Sequence, residues 1–398
     1  MKASAGRILM LLENNPYCFD VRVRHEAITL AANGYMVSVI CPGGLGELRR
    51  ETIDGVRVYR YPAPRAGSGF LAYVWEYSHA LAATFAISLV VLLREGFDIL
   101  HAHCPPDMFV LVAMFYKLLG KRFVYDHHDL GPEMYRARFR NNADSVIYRA
   151  LLLFEKLCLR LADHVITTNL SYKTLEMERG GVPSQRIAIV RNGIDLERMQ
   201  PVDPDLLLRH RAHTILGYVG AMGPQDGVDY LVRALYHLIY DLGRHDVCCV
   251  IIGKGDVSRD LKALAEELHV EDHIWFTGWI PDSDLIRYLS TVDICVDPDP
   301  SNPFNDRSTM IKMMEYMALG KPIVAFDLPE HRVTAQDAAA YARANDELDF
   351  ARQIASLMDD PERRNRMGQL GRQRIETELA WVFQEKHLLE AYEALSVC

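Results

Sequence analysis

At 398 residues, 49% apolar and 24% charged, the chain is long enough for two or three domains with buried cores and has the composition of a globular protein. A formal net charge of −9 argues against a dedicated nucleic-acid binder, so no nucleic-acid partner is expected. Eight cysteines without CxxC or zinc-type spacing, several inside apolar runs, read as reduced core residues and point to the cytoplasm.

The first half alternates strands and helices. Residues 8–12 form an apolar strand that begins without the apolar stretch and cleavage site of a signal peptide, so export is not expected. A helix near 22–32, stopped by Asn33-Gly34, leads to a strand at 37–40. The most apolar segment, 80–93, is too short to span a bilayer, contains Thr84 and Ser88, and reads as a buried helix. Strands at 98–103, 123–125 and 164–168 are separated by helices around 109–119 and 147–162. Such alternation predicts a parallel sheet covered on both faces, with ligands at the carboxyl ends of its strands.

A Pro/Asp-rich linker, Pro201-Val202-Asp203-Pro204, precedes a second series. Strands at 214–219, 248–252, 274–276 and 294–296 alternate with helices at 228–238 and 259–268. The expected fold is α/β, two Rossmann-like domains facing a cleft, with residues 1–198 forming the first and 199–378 the second, followed by a last helix within 379–398. No short repeat competes with that reading.

Residues 305–326 carry the most information about function. Asp306 and Ser308 offer helix-start chemistry, Gly320 and Pro322 stop the helix, and residues 323–326 read as a buried strand. A helix start presents unpaired backbone N–H groups that suit a phosphate, and Glu315 is a carboxylate able to chelate two vicinal hydroxyls. The segment resembles the nucleotide-sugar motif of the retaining glycosyltransferases of family 4, which have the GT-B architecture. Glu315, Ala318, Gly320, Pro322, Ile323 and Val324 fit that motif, whereas Arg307 stands at its first acidic position. Asn192-Gly193-Ile194-Asp195, the glycine turns ending in Gly220 and Gly255, and Phe276-Thr277-Gly278-Trp279-Ile280 are also similar to family segments, so the resemblance spans nearly the whole chain.

The resemblance implies that Glu315 holds the donor ribose and that Ile280 faces the base. Gly220, Gly223, Gln225, Gly253, Ser308, Thr309, Met310, Ile311 and Lys312 would line the rest of the donor site. His128-Asp129 matches the family's pair at the active-site edge, so His128, Asp129 and Arg307 are the expected catalytic residues, with His128 near the reacting centre. It further implies no metal, no cofactor beyond the nucleotide-sugar co-substrate, and a last helix that crosses back to the N-terminal domain. Asp297-Pro298-Asp299, followed by Pro300, reads as a rigid turn rather than a metal site, because the two prolines fix its backbone.

One departure from the family pattern concerns charge. The segment from Gly220 to Asp229 lacks the arginine and lysine that grip the donor diphosphate in most members, although its glycines permit close backbone approach. Arg307 either replaces those cations or pairs with a carboxylate on the transferred sugar. Lys312 is a further source of charge, as are Arg22 and Arg24, which open the first helix against its dipole at a cost of roughly 0.3–1 kcal/mol; solvated surface arginines are the alternative. His101 and His103 line the acceptor side or are structural, and Glu133 either reaches the same pocket or is a helix N-terminal carboxylate.

Arg136, Arg138, Arg140, Arg149, Lys156 and Arg160, set among leucines, suit docking to anionic lipid, or a solvated helix packing on the sheet. The expected function is metal-independent, retaining transfer of a hexosyl or uronosyl group from a nucleotide-diphosphate donor, with UDP as the expected nucleotide. The acceptor is expected to be an envelope or exopolysaccharide precursor, a glycan or lipid-linked glycan, handled in the cytoplasm or peripherally at the inner membrane face. A non-catalytic sugar-nucleotide-binding homologue and a sugar-nucleotide epimerase are the other readings.

Overall fold

The computed structural model describes residues 6–44, 46–63, 70–139 and 145–396, with only the backbone of 70–74 and 396 described. Arg140 and Cys398 lie outside the described residues. The chain divides into two units: Met1–Arg136, Asn141–Arg191 and Gln384–Cys398 form the first, and Ala137–Arg140 with Asn192–Phe383 the second.

The sheet of the first unit contains β1 (Gly6–Leu11), β2 (Tyr35–Gly43), β3 (Arg50–Ile53), β4 (Val56–Pro62), β5 (Ile99–His103), β6 (Arg122–His127), β7 (His164–Thr167) and β8 (Ile187–Ile189). Their order is β3-β4-β2-β1-β5-β6-β7-β8. Every adjacent pair is parallel except β3 and β4, a hairpin turned at Asp54 (φ 50°) and Gly55 (φ 81°). Positive φ at both residues matches the twist of the flanking strands, the reason Asp-Gly closes tight hairpins.

The helices are α1 (Val21–Ala32), α2 (Phe70–Arg94), α3 (Val110–Leu118), α4 (Gly131–Arg138), α5 (Val146–Leu161) and α6 (Leu170–Leu175). Asp20 starts α1 by accepting the Val23 N–H at 2.9 Å. α2 corrects an expectation, because it is longer than residues 80–93 and buries only one stripe. Ala80, Thr84, Ser88 and Val91 face the core, while Trp75, Val90 and Leu93 are exposed.

The second unit has β9 (Thr214–Val219), β10 (Val247–Ile252), β11 (Ile274–Gly278), β12 (Ile294–Asp297), β13 (Ile323–Phe326) and β14 (Ala339–Ala342). All are parallel, in the order β11-β10-β9-β12-β13-β14. The short α7 (Leu206–Arg209) is followed by α8 (Val228–Tyr236), α9 (Ser258–Glu267), α10 (Asp282–Thr291), α11 (Ile311–Ala318), α12 (Pro329–Ala335), α13 (Glu347–Met358) and α14 (Pro361–Arg374). Separate apolar clusters hold the helices to this sheet, one around Leu231, Ile251 and Phe350 and the other around Ile215, Met314 and Ile375. The strand order reverses between β1 and β5 in the first sheet and between β9 and β12 in the second, which makes the loops after these strands the natural ligand sites.

The unit boundaries fall at 191/192 and 383/384 instead of after 198 and 378. Backbone pairing explains the shift. Ile194 bridges to Ala380, the Trp381 N–H donates to the Ile194 carbonyl at 3.0 Å, and a Cβ on Gly193 would lie 2.4 Å from Trp381 Cα. Residues 192–198 are thereby tied to the second unit. From Gln384 onward α15 (Trp381–Ser396) belongs to the first, where the Tyr392 hydroxyl lies 2.7 Å from His101 Nδ1.

Candidate functional site

In the second unit, the loops after β9 and β10 meet backbone to backbone. A Cβ on Gly253 (φ +125°) would stand 2.0 Å from the Gly220 carbonyl oxygen, and one on Gly255 would stand 2.4 Å from that of Met222. The N–H of Gly220 bonds the Ile252 carbonyl and that of Gly253 the Gly278 carbonyl, so these two amides close strand ends and are not offered to an anion. The value of the two glycines is therefore close approach. Gly253→Ala is expected to lower stability by on the order of 3 kcal/mol, read as a reduced denaturation midpoint with an unchanged m-value.

The turn without the usual cations carries a carboxylate instead. Asp226 Oδ2 accepts the Gly223 N–H at 2.7 Å and the Gln225 side-chain amide at 3.1 Å, and burial raises its pKa against the opposing pull of Lys312. Gln225 is tied in by its backbone carbonyl, which accepts from Asn305 at 2.9 Å, while its buried Oε1 has no partner among the described residues. Lys312 was expected to supply charge to a diphosphate, but its ammonium is spent internally. Nζ lies 2.7 and 2.8 Å from the two Asp299 oxygens and 3.2 Å from Asp297 Oδ1, 5.1 Å from the centroid of the Tyr218 ring.

The helix start is also later than expected. α11 begins at Ile311 with Met310 before it and no side-chain cap, because the Ser308 hydroxyl donates instead to the Phe304 carbonyl at 2.9 Å and Asp306 accepts from Ser301 at 3.2 Å. Ser308 is thus a loop-folding residue, followed by the half-buried Thr309 and Met310 and the exposed Ile311. Arg307 is half-buried and donates through Nη1 to the Pro303 carbonyl at 2.8 Å. Ile280 packs at the edge of one of the unit's apolar clusters, beside the exposed Trp279.

Glu315, one turn into α11, is held by a residue that the sequence reading overlooked. Arg198 Nη1 lies 3.4 Å from Glu315 Oε1, and the same guanidinium clasps Asp282 through Nε at 2.8 Å and through Nη2. Burial raises the Glu315 pKa, and Arg198 opposes the rise. Removing Arg198 should push it higher still, so the carboxylate would lose its charge at a higher pH. Arg198→Met is expected to move the acid limb of nucleotide-diphosphate binding to higher pH while leaving affinity at alkaline pH nearer to wild type, which calorimetric titration across pH would record.

In the first unit, the ends of β5 and β6 bring His103, Asp126 and His128 together. Asp126, fully buried, accepts from Arg22 Nε at 2.7 Å and Nη2 at 2.8 Å, and faces His103 Nδ1 at 2.8 Å and His128 Nδ1 at 3.3 Å. Arg22 also donates to the Val190 carbonyl at 2.9 Å and lies 3.2 Å from Glu26. Burial works to lower the His128 pKa, but Asp126 outweighs it and the net shift is upward. The shift favours the imidazolium form of His128, whose side chain is 13% exposed just past the carboxyl end of β6. Cys104 shapes this turn, its sulfur accepting the N–H groups of His128 at 3.2 Å and Asp129 at 3.3 Å.

Several candidates turn out to be committed elsewhere. Arg22 is a buried counter-ion and not a residue presented to a phosphate, and Arg24 pairs with Asp54 at 3.0 Å on the surface. Glu133 is buried against Arg179, which also holds Glu155 at 2.8 Å. His127 points away from His128, as strand alternation requires, and bonds Glu176 at 3.0 Å; burial opposes its protonation, yet Glu176 and Glu155 raise its pKa to about 9. His101 stacks on His103 with ring centroids 4.2 Å apart.

Among the described residues, two groups have spacing suited to a metal: Glu26, His101, His103 and Asp126, and Asp297, Asp299 and His331. Each already contains a protein cation, Arg22 in the first and Lys312 in the second, that balances part of its negative charge. A signal for Arg22 existed in the sequence. Asp126 interrupts the apolar strand Phe123-Val124-Tyr125, and a carboxylate in a strand buried on both faces demands a buried cation. Arg198 gave a weaker one, as it lies just past Asn192-Gly193-Ile194-Asp195.

Comparison with known proteins places this geometry in context. The sequence model described as "Glycosyl transferase 4-like domain" matches residues 20–193, and that described as "Glycosyl transferases group 1" matches residues 213–360. The chain is 23% identical over 359 residues to the 2-deoxystreptamine glucosyltransferase of Streptomyces kanamyceticus, covering 86% of this chain and 90% of that protein. Among solved structures, sucrose-phosphate synthase from Thermosynechococcus elongatus superposes with a TM-score of 0.79 at 19% identity, covering 98% of this chain and 99% of that one. Anabaena HepE in complex with UDP-glucose gives 0.72 at 15% identity, covering 99% and 100%. At these identities the structural likeness establishes the shared fold.

Proposed function

This chain belongs to the group 1 glycosyltransferases of GT-B fold, and from that premise we propose that it transfers a sugar, with retention of configuration, from a UDP-sugar to a glycan or lipid-linked glycan precursor. The observation that carries the donor reading is Glu315, a half-buried carboxylate one turn into α11 with Arg198 behind it, beside the loops at the strand-order reversal of the second unit. An ionised carboxylate in that setting accepts two hydrogen bonds from vicinal ribose hydroxyls, and the N–H groups at the start of α11 suit the diphosphate. A fold neighbour solved with UDP-glucose supports a uridine nucleotide.

His128, biased toward its charged form by Asp126, would donate a hydrogen bond to the transferred sugar, and the leaving diphosphate would take the acceptor's proton on the same face of the ring. No second carboxylate is needed for that route. Arg307, which stands at the motif's first acidic position, is assigned to the donor's negative charge. Thermal stabilisation by a panel of UDP, GDP, ADP and UDP-sugars tests the reading, since a ligand at about 100 times its dissociation constant adds roughly 2.7 kcal/mol. Selective stabilisation by uridine nucleotides is expected, and indifference to all of them would overturn the reading. Arg307→Ala should cost UDP and the UDP-sugar the same affinity if the guanidinium serves the diphosphate, whereas a loss confined to a UDP-uronic acid would assign it to the sugar.

A further inference from the structure

Of the two groups with metal-ligand spacing, the one in the first unit has little negative charge left to offer, since Arg22 lies against both Glu26 and Asp126. The group in the second unit differs. Asp226, Asp297 and Asp299 all act on the ammonium of Lys312, three carboxylates against one cation, for a formal charge of −2 with His331 neutral. Arg138, another cation that acts on Asp226, is paired with Asp256. Asp297, Asp299 and His331 are buried, where uncompensated charge is costly. Burial and the neighbouring Asp297 push the Asp299 carboxyl well above the usual carboxylate range, the response of a site short of positive charge.

The orientation of His331 points to what would supply that charge. Its Nδ1 lies 2.9 Å from the Phe326 carbonyl, which can only accept, so Nδ1 carries a proton and the neutral ring presents the lone pair of Nε2. Nε2 faces Asp297 Oδ2 at 3.7 Å, too far for a hydrogen bond, and neither atom has a hydrogen-bond partner among the described residues. Two buried acceptors that face each other across such a gap fit a cation between them. Ligand atoms about 2.0–2.1 Å from a zinc ion stand roughly 3.3–3.4 Å apart at the tetrahedral angle, so a small contraction would close the gap. Asp299 offers a third oxygen: the ligand atoms of the three residues lie within 4.8 Å of one another, and its carboxylate keeps lone pairs beyond those that face Lys312. The bond from Nδ1 to a backbone carbonyl is the support that orients a metal-ligating imidazole. Pro298 and Pro300, which make the turn rigid, also fix the two aspartates in place.

We propose that Asp297, Asp299 and His331 hold a divalent transition-metal ion that ties the end of β12 to α12, with zinc the best match to one imidazole and two carboxylates. Magnesium and calcium fit less well, because they take oxygen ligands. The ion is structural. Its three ligands are at most 1% exposed, so it is acquired as the unit folds, and a chelator added to the folded chain does not reach it. The inference stands apart from the transferase reading, since metal content is measured without donor or acceptor.

The test is elemental analysis of the full chain after unfolding in denaturant with a chelator and refolding with zinc chloride, with magnesium chloride or with chelator alone. About one equivalent of zinc kept through gel filtration is expected, with a melting temperature above that of the chelator-refolded chain and no such gain from magnesium. His331→Gln and Asp297→Asn should each lose the retained zinc. Refolding of the unaltered chain with cobalt(II) gives a reading that does not depend on whether the variants fold: visible d–d absorption without a thiolate-to-cobalt band is expected of nitrogen and oxygen ligands. Failure to retain zinc would mean that Asp297 and Asp299 share a proton instead, and would overturn the proposal. So would zinc retained equally by His331→Gln, or a thiolate band showing that cysteines hold the ion.

Discussion

Glu315→Gln is expected to weaken donor binding by about 10- to 100-fold, seen in titrations with UDP as well as with the UDP-sugar. A hydrogen bond to a charged group contributes roughly 1.5–3 kcal/mol, and an amide can accept ribose hydroxyls only through one neutral oxygen. The substitution keeps the shape of the side chain, so the fold should survive it. Arg198 would then face Asp282 alone, a pair about half exposed on the aspartate side that can persist without Glu315. Free UDP and the full donor should lose equal affinity, because the ribose is common to both. Equal affinity of the variant and the wild type for UDP would move the ribose contact away from α11.

Asp126→Ala is expected to destabilise the first unit by about 3–5 kcal/mol, the range for removing one partner of a buried ion pair. The loss would leave Arg22 buried beside Glu26, a group whose pKa burial pushes well above the usual carboxylate range and which is therefore a poor substitute counter-ion. Asp126 itself is held well below that range: burial disfavours its charge, but Arg22, His128 and His103 more than compensate. A carboxyl with a depressed folded-state pKa contributes its full stability above its unfolded value of about 3.9 and loses it as pH falls through the lower folded value. Wild-type acid unfolding should therefore include a step that Asp126→Asn lacks. At neutral pH the same variant should also lower the His128 pKa and reduce turnover. Chemical denaturation followed by circular dichroism reads the first effect and a pH–rate profile the second.

The architecture was legible in the sequence because parallel strands buried on both faces read as uninterrupted apolar runs and alternate with amphipathic helices. The hairpin of β3 and β4 was overlooked although Asp54-Gly55 between alternating apolar residues carries its signal. Motif residues such as Glu315 and His128 were identifiable because their spacing is local. What could not be read were the long-range partners that decide whether a charge is available. Lys312 and Asp299 are thirteen positions apart and Arg22 and Asp126 more than a hundred, so nothing in the local pattern distinguishes a cation offered to a ligand from one consumed inside the protein. Asp306 and Ser308 illustrate the limit of capping chemistry, since a side chain that can cap a helix can equally well fold the loop before it.

We propose that the chain is a working retaining transferase although the segment from Gly220 to Asp229 carries no arginine or lysine. The most direct measurement is incubation of the purified protein with the UDP-sugar that stabilises it most and an extract of lipid-linked glycans, in the presence of a chelator, followed by nuclear magnetic resonance of the product. UDP release together with a new glycosidic linkage of the same anomeric configuration as the donor is the predicted result. A product of inverted configuration, or binding of the UDP-sugar without any release of UDP, would contradict it.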